Sequence, residues 1–223
     1  MFINERQLVE ELTTLFKSPS AQIPRSLKCK NQMVLEEVNL GYGVADIVLT
    51  QYSEPKEQRD VFLGSTEIRV LHVVKKYRGA STEKISERTG LPKWSVKKSI
   101  ALLESLELVR MEDGFARSWK PYVKIIKKTI AIEAKLYNWK RALKQAYRYK
   151  WFSDRSYVCL PSNRVKPALS NIKMFEDMGV GLLETSPGGG INILHNPKAE
   201  KPFSKEMNFL LNEWVLTQIH ASL

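Results

Sequence analysis

Apolar residues recur at helical spacing over residues 4–17, where Leu8, Leu12, Leu15 and Phe16 form a stripe behind Asn4, a good helix cap. The period then falls to two. Residues 33–40 and 44–50 read as strands joined by Gly41-Tyr42-Gly43, whose glycines suit a tight hairpin. From Ser65 the period lengthens again, and three short helices follow. Ser65 or Thr66 is placed to cap the first, which buries Ile68, Leu71, Val74 and Tyr77. Ser81 caps the second, over 82–89, and Gly90-Leu91-Pro92 makes the turn into the third, over 94–106, which buries Val96, Ile100, Leu103 and Leu106. Residues 109–111 and 115–117 pair as strands around Glu112-Asp113-Gly114.

After Trp119-Lys120-Pro121, residues 128–136 are again strand-like, with Ile130, Ile132 and Ala134 on one side of the pleat. A helix over 138–151, a strand over 156–160 and a helix over 165–178 follow. A strand pair at 181–185 and 191–194 turns at Pro187-Gly188-Gly189-Gly190, and Ser204 caps a closing helix that reaches about Ala221. Without residues 63–120, the rest alternates helix and strand, an α/β core interrupted once. The expected domains are a discontinuous core of 1–62 with 121–223 and an inserted domain of 63–120.

Hydrophobic residues make up 43% of the 223, enough for ordinary cores. No run approaches the roughly 18 apolar residues of a membrane helix, and Met-Phe-Ile-Asn-Glu-Arg lacks signal-peptide order, so a soluble cytoplasmic protein is expected. Cys29 and Cys159 have no partner at metal-ligand spacing, and His72, His195 and His220 are isolated, so neither zinc nor a disulfide is expected. The net charge of +11 points to a polyanionic partner. Residues 121–155 hold ten basic side chains against two acidic ones, Glu133 and Asp154. A carboxylate in such a field needs a reason.

Asp46 lies in the second strand, and Glu133 and Lys135 lie in the strand over 128–136. On a strand, a spacing of two turns both side chains to one face. If the strands are neighbours, two carboxylates and an ammonium converge in an otherwise aliphatic sheet. Phosphodiester hydrolysis gives that cost a purpose: carboxylate oxygens hold Mg²⁺, and the ion lowers the pKa of a bound water and offsets charge at phosphorus. Lys135 would orient or help deprotonate the water, and the Ala134 carbonyl could complete the coordination.

These residues resemble the PD-(D/E)xK superfamily of restriction-endonuclease-like folds, in which an acid on one strand is followed by Glu-x-Lys on the next. The resemblance covers 1–62 and 121–195. Ala45 stands where the motif has proline, and the inserted domain accounts for the long gap from Asp46 to Glu133. The resemblance implies a mixed sheet flanked by helices and a Mg²⁺-dependent endonuclease, with Mn²⁺ able to substitute. It also implies roles for Gln145 and Tyr149, which match the Gln-x-x-x-Tyr element of related nucleases that positions DNA and active-site groups. Glu37 matches an additional acid found in some members, with Glu10 and Glu11 as rivals.

The inserted segment resembles winged helix-turn-helix domains of bacterial regulators, in which the helix after the turn enters the major groove. That resemblance places Lys93, Trp94, Ser95, Lys97 and Lys98 against double-stranded DNA, with Arg110 and Arg117 flanking the wing tip; Glu112 and Asp113 in the tip argue the other way. Lys140, Arg141, Lys144 and Arg148 make a basic helix that suits the same ligand. Cutting both strands calls for two active sites, hence a homodimer or a partner protein of a defence or mobile-element system. The alternative is a non-cleaving DNA-binding regulator or assembly factor on the same fold.

Overall fold

The computed structural model describes all residues except 19, 20, 22, 29, 42, 56–58, 222 and 223, so Cys29 and Tyr42 lie outside the described residues. The elements, in chain order, begin with α1 (Glu5–Lys17), β1 (Gln32–Asn39), β2 (Val44–Tyr52), α2 (Ser65–Tyr77), α3 (Thr82–Thr89), α4 (Lys93–Ser105), β3 (Val109–Glu112) and β4 (Phe115–Ser118). They continue with β5 (Ile126–Ala134), α5 (Trp139–Tyr149), β6 (Arg155–Pro161), α6 (Lys166–Leu169), α7 (Ile172–Met178), β7 (Gly181–Thr185), β8 (Ile191–His195) and α8 (Lys205–Ala221). The chain divides into two units, Met1–Glu54 with Ile126–Lys205 and Pro55–Ile125 with Glu206–Leu223. None of the described helices is long and apolar enough to cross a membrane.

The larger unit is a six-stranded mixed sheet in the order β1-β2-β5-β6-β7-β8, flanked by helices. The pairs β5–β6 and β6–β7 are parallel and the other three are antiparallel. Parallel neighbours need crossover connections, and α5 and then α6–α7 supply them. Asn4 caps α1 by accepting the Gln7 N–H, and the stripe of Leu8, Leu12 and Phe16 packs on Ile47, Leu49, Ile130, Ile132 and Ala134. Alternation turns Asp46, Val48, Ala131 and Glu133 to the other face, which α5 covers with Ala142, Leu143, Ala146 and Tyr149. The hairpin glycines adopt positive φ as expected, 97° at Gly41 and 123° at Gly43. The helix expected over 165–178 is broken, with Ser170 and Asn171 separating α6 from α7. Buried Cys159 is a free thiol, and burial pushes its pKa up.

The smaller unit packs α2, α3 and α4 around Ile68, Leu71, Val74, Ile85, Val96, Ile100 and Leu103. The β3–β4 hairpin joins them through Ala80, which exchanges two backbone hydrogen bonds with Ala116. Two expectations fail locally. Neither Ser65 nor Thr66 caps α2: Gly64 takes that position, and Glu67 reaches back to accept its N–H at 3.1 Å. Tyr77 is 38% exposed, because at the end of α2 its ring serves the cations of Lys76, Lys84 and Arg88 instead of the core.

The larger departure concerns α8, expected in the discontinuous core but grouped with the inserted segment. Its side chains give the reason. Buried Glu213 accepts from Arg59, from the Leu63 N–H at 2.8 Å and from the Tyr122 hydroxyl at 2.8 Å. Asn212 donates to that hydroxyl and accepts the Ile125 N–H, each at 2.8 Å. These bonds satisfy the polar groups on both flanks of the insertion, so the unit begins before residue 63 and ends after residue 120.

Candidate active site

Ile47 pairs with Ile132 across β2 and β5, which carries Asp46 and Glu133 to facing positions one residue further on. The Asp46 Oδ2 accepts the Ala134 N–H at 2.8 Å, fixing the carboxylate against the end of β5. The Lys135 ammonium lies 3.0 Å from Glu133 Oε1 and 3.8 Å from Asp46 Oδ2. The sequence-level trio is thus one cluster, and α5 closes it: the Tyr149 hydroxyl contacts both the Val44 carbonyl, at 2.6 Å, and Glu133 Oε2.

The electrostatics follow from burial. The Glu133 side chain is 1% exposed, against 23% for Asp46 and 18% for Lys135. Burial, followed by the Asp46 charge, holds Glu133 above the usual carboxylate range, although Tyr149 and Lys135 pull the other way. Burial also raises Asp46, outweighing the Ala134 N–H and Lys135. Burial opposes the Lys135 charge, but Asp46, Glu133 and Glu5 together overcome it and lift the amine. Burial and then Glu133 push the Tyr149 phenol up, so it stays a neutral donor.

A phenol carries one proton. It is shared between the Val44 carbonyl and Glu133 Oε2, both of which accept from the hydroxyl. Glu133 Oε1 and Gln145 Oε1 are both sealed from solvent; Glu133 Oε1 meets the Lys135 ammonium at 3.0 Å, and Gln145 Oε1 has no hydrogen-bond partner among the described residues. Gln145 stands one helical turn from Tyr149 on α5.

Glu37 is exposed on β1 with φ at 51°, and its charge adds to the upward push on Asp46. Glu36 pairs with Lys17 instead. The acid that α1 brings to the cluster is Glu5, 3.2 Å from Lys135. Glu10 pairs with Arg6, and Glu11 accepts from Gln7 and from the Gly188 N–H. Sequence reasoning missed Glu5 because an acid in the first helical turn is an ordinary companion of the helix dipole. Among the described residues, no group of three or more His, Cys, Asp and Glu side chains is gathered closely enough to hold a metal. Two facing carboxylates still suit Mg²⁺, which takes one or two of them and keeps several waters. Glu133 Oε1, met by the Lys135 ammonium alone, is the atom that would face such an ion.

The α5 residues Lys140, Arg141, Lys144 and Arg148 are exposed, with no acid on that helix. In the smaller unit, Lys93, Trp94, Lys97 and Lys98 are exposed at the start of α4, Trp94 by 71%, and Ser95 is half-buried. Lys93 pairs with Glu83 at 3.1 Å. Arg110 and Arg117 both pair with Glu112, at 2.9 and 3.3 Å, so the hairpin charges are partly spent within it. No family profile matches the chain, and neither curated proteins nor solved structures provide a match.

Proposed function

We propose that the chain is a Mg²⁺-dependent DNA endonuclease, with a PD-(D/E)xK core of restriction-endonuclease-like fold in the larger unit and a winged helix for duplex DNA in the smaller one. The observation that carries this reading is the convergence of Asp46, Glu133 and Lys135 at facing positions of β2 and β5, beneath a helix with four exposed cations. When bound, Mg²⁺ lowers the pKa of a ligated water and offsets charge at phosphorus. Glu133 would hold it through Oε1. Asp46, with Oδ2 on the Ala134 N–H, would hold it through its other oxygen. Lys135, 3.0 Å from Glu133 and 3.8 Å from Asp46, would orient the attacking water and face the phosphate. Tyr149 fixes Glu133, and the buried Gln145 amide oxygen, without a partner among the described residues, would be free to accept from a water ligated beside it.

The test is cleavage of supercoiled plasmid with Mg²⁺ or Mn²⁺ by wild type, Asp46→Ala and Lys135→Ala. Metal-dependent cutting by wild type and none by either variant is expected. DNA binding without any cutting by wild type sinks the proposal, whereas cutting only after adding cell extract marks one subunit of a defence or mobile-element assembly. One observation favours a second reading: Lys135 already pairs with Asp46, Glu133 and Glu5, as a structural cluster in a non-cleaving DNA-binding regulator or assembly factor would. On that reading Asp46→Ala lowers the melting temperature and leaves DNA transactions unchanged.

A further inference from the structure

The parallel strands β5 and β6 end side by side: Lys135, just past β5, donates its N–H to the Cys159 carbonyl of β6. Just beyond these ends stand Tyr137 and Arg164. The Arg164 guanidinium carbon lies over the Tyr137 ring, 3.8 Å from its centroid. It makes no ion pair among the described residues. Its Nη1 is sealed from water with no acceptor, and its Nη2 meets only the Met1 thioether sulfur, a weak acceptor, at 3.6 Å. Arginine is always charged, and a half-buried cation without an anion is costly. Met1, 79% exposed, is a side chain that an incoming group can displace, and Tyr137 is 64% exposed, so the pair stands at the surface.

We infer that Arg164, seated on Tyr137, is a binding site for a backbone phosphodiester of the nucleic-acid strand. The inference rests on the endonuclease reading and extends it. A guanidinium is a planar fork whose nitrogens match phosphate oxygens two at a time, an aromatic ring against it limits its freedom, and a lysine could not do the same. Tyr137 is two residues past Lys135, so the chain holds the two sites within about 7 Å along the backbone. The phosphate received by Arg164 is therefore a near neighbour of the one at Asp46, Glu133 and Lys135. Arg164 positions the strand and takes no part in bond breaking.

The experiment measures binding of a fluorescent duplex in Ca²⁺, which suppresses cutting, by wild type, Arg164→Ala, Arg164→Lys and Tyr137→Ala. A series of duplexes with one uncharged methylphosphonate linkage at each position in turn is run in parallel. Wild type should lose about ten-fold in affinity at one linkage close to the cut, a charge-assisted pair's worth. Arg164→Ala should bind the unmodified duplex about ten-fold more weakly and ignore that linkage; Arg164→Lys should recover only part. In Mg²⁺ the loss should fall on KM more than on kcat. Arg164→Ala binding like wild type, or keeping the same sensitive linkage, overturns the inference. Should Arg164→Ala fail to fold, the wild-type linkage series and Arg164→Lys decide: no sensitive linkage, or full recovery by lysine, refutes it. Failure of wild type to cut in Mg²⁺ refutes the endonuclease reading separately, because the linkage series reads binding alone.

Discussion

Two glutamates, one in each unit, lie out of water and are met in opposite ways. Glu213, 3% exposed, receives a guanidinium, a backbone N–H and a phenol, and its oxygens are fully used. Glu133, 0% exposed, meets an ammonium and a phenol too, but it accepts no backbone N–H among the described residues, faces a second carboxylate that shares the same ammonium, and is held above the usual carboxylate range. A satisfied buried charge organises a fold, and removing its partner is expensive. An under-satisfied one costs stability and persists where a ligand completes it.

The contrast can be broken most directly through Lys135. On the endonuclease reading, Lys135→Ala slows single-turnover cleavage by roughly a hundred- to ten-thousand-fold while circular dichroism stays unchanged. A variant that cuts at the wild-type rate removes the amine from the chemistry.

Stability gives the next largest effect. Glu213→Ala strands Arg59 and Tyr122 and should cost the smaller unit about 3–5 kcal/mol in denaturant titrations. Glu133→Gln should leave the metal-free protein as stable at neutral pH, or more so, and abolish cutting. The sign follows from the raised carboxyls: protonation is favoured in the folded state, so Asp46 and Glu133 cost stability as pH rises through their folded pKa values. Equal destabilisation by the two glutamate variants would erase the contrast. For the same reason, Mg²⁺ affinity by calorimetry should climb as pH rises above the ordinary carboxylate range, and a flat profile would place the proton elsewhere.

Tyr149→Phe removes one hydroxyl from Val44 and Glu133 and keeps the buried ring, so cleavage should fall by about ten-fold with little change in folding. The smallest effect belongs to the smaller unit's surface. Glu112→Ala releases Arg110 and Arg117, and duplex affinity should rise no more than about five-fold, with a steeper salt dependence. Weaker binding would mean that the hairpin does not face DNA.

The element order was legible because the period changes are abrupt and the turns carry glycine, as at Gly41 and Gly43. The Asp46–Glu133–Lys135 convergence was legible because strand alternation fixes faces, and only the pairing of β2 with β5 had to be assumed. Contacts across long separations left no such mark. Glu5 lies 130 residues from Lys135 and looks like a helix-end acid. Arg164 has no motif around it, and its unmet guanidinium exists only once Tyr137 is folded against it. Glu213 reads as one acid on a closing helix until Arg59 and Tyr122 arrive beside it.

That last arrangement has a consequence for transplantation. The smaller unit is assembled from two stretches of chain, and the second supplies the acid that the first is built around. Residues 63–120 moved alone into another protein would leave Arg59, Tyr122 and Glu213 behind, and the graft would lack the bonds that close its own base. A portable version has to carry 55–125 and a tethered copy of 206–221 together, so the unit travels as a two-piece cassette.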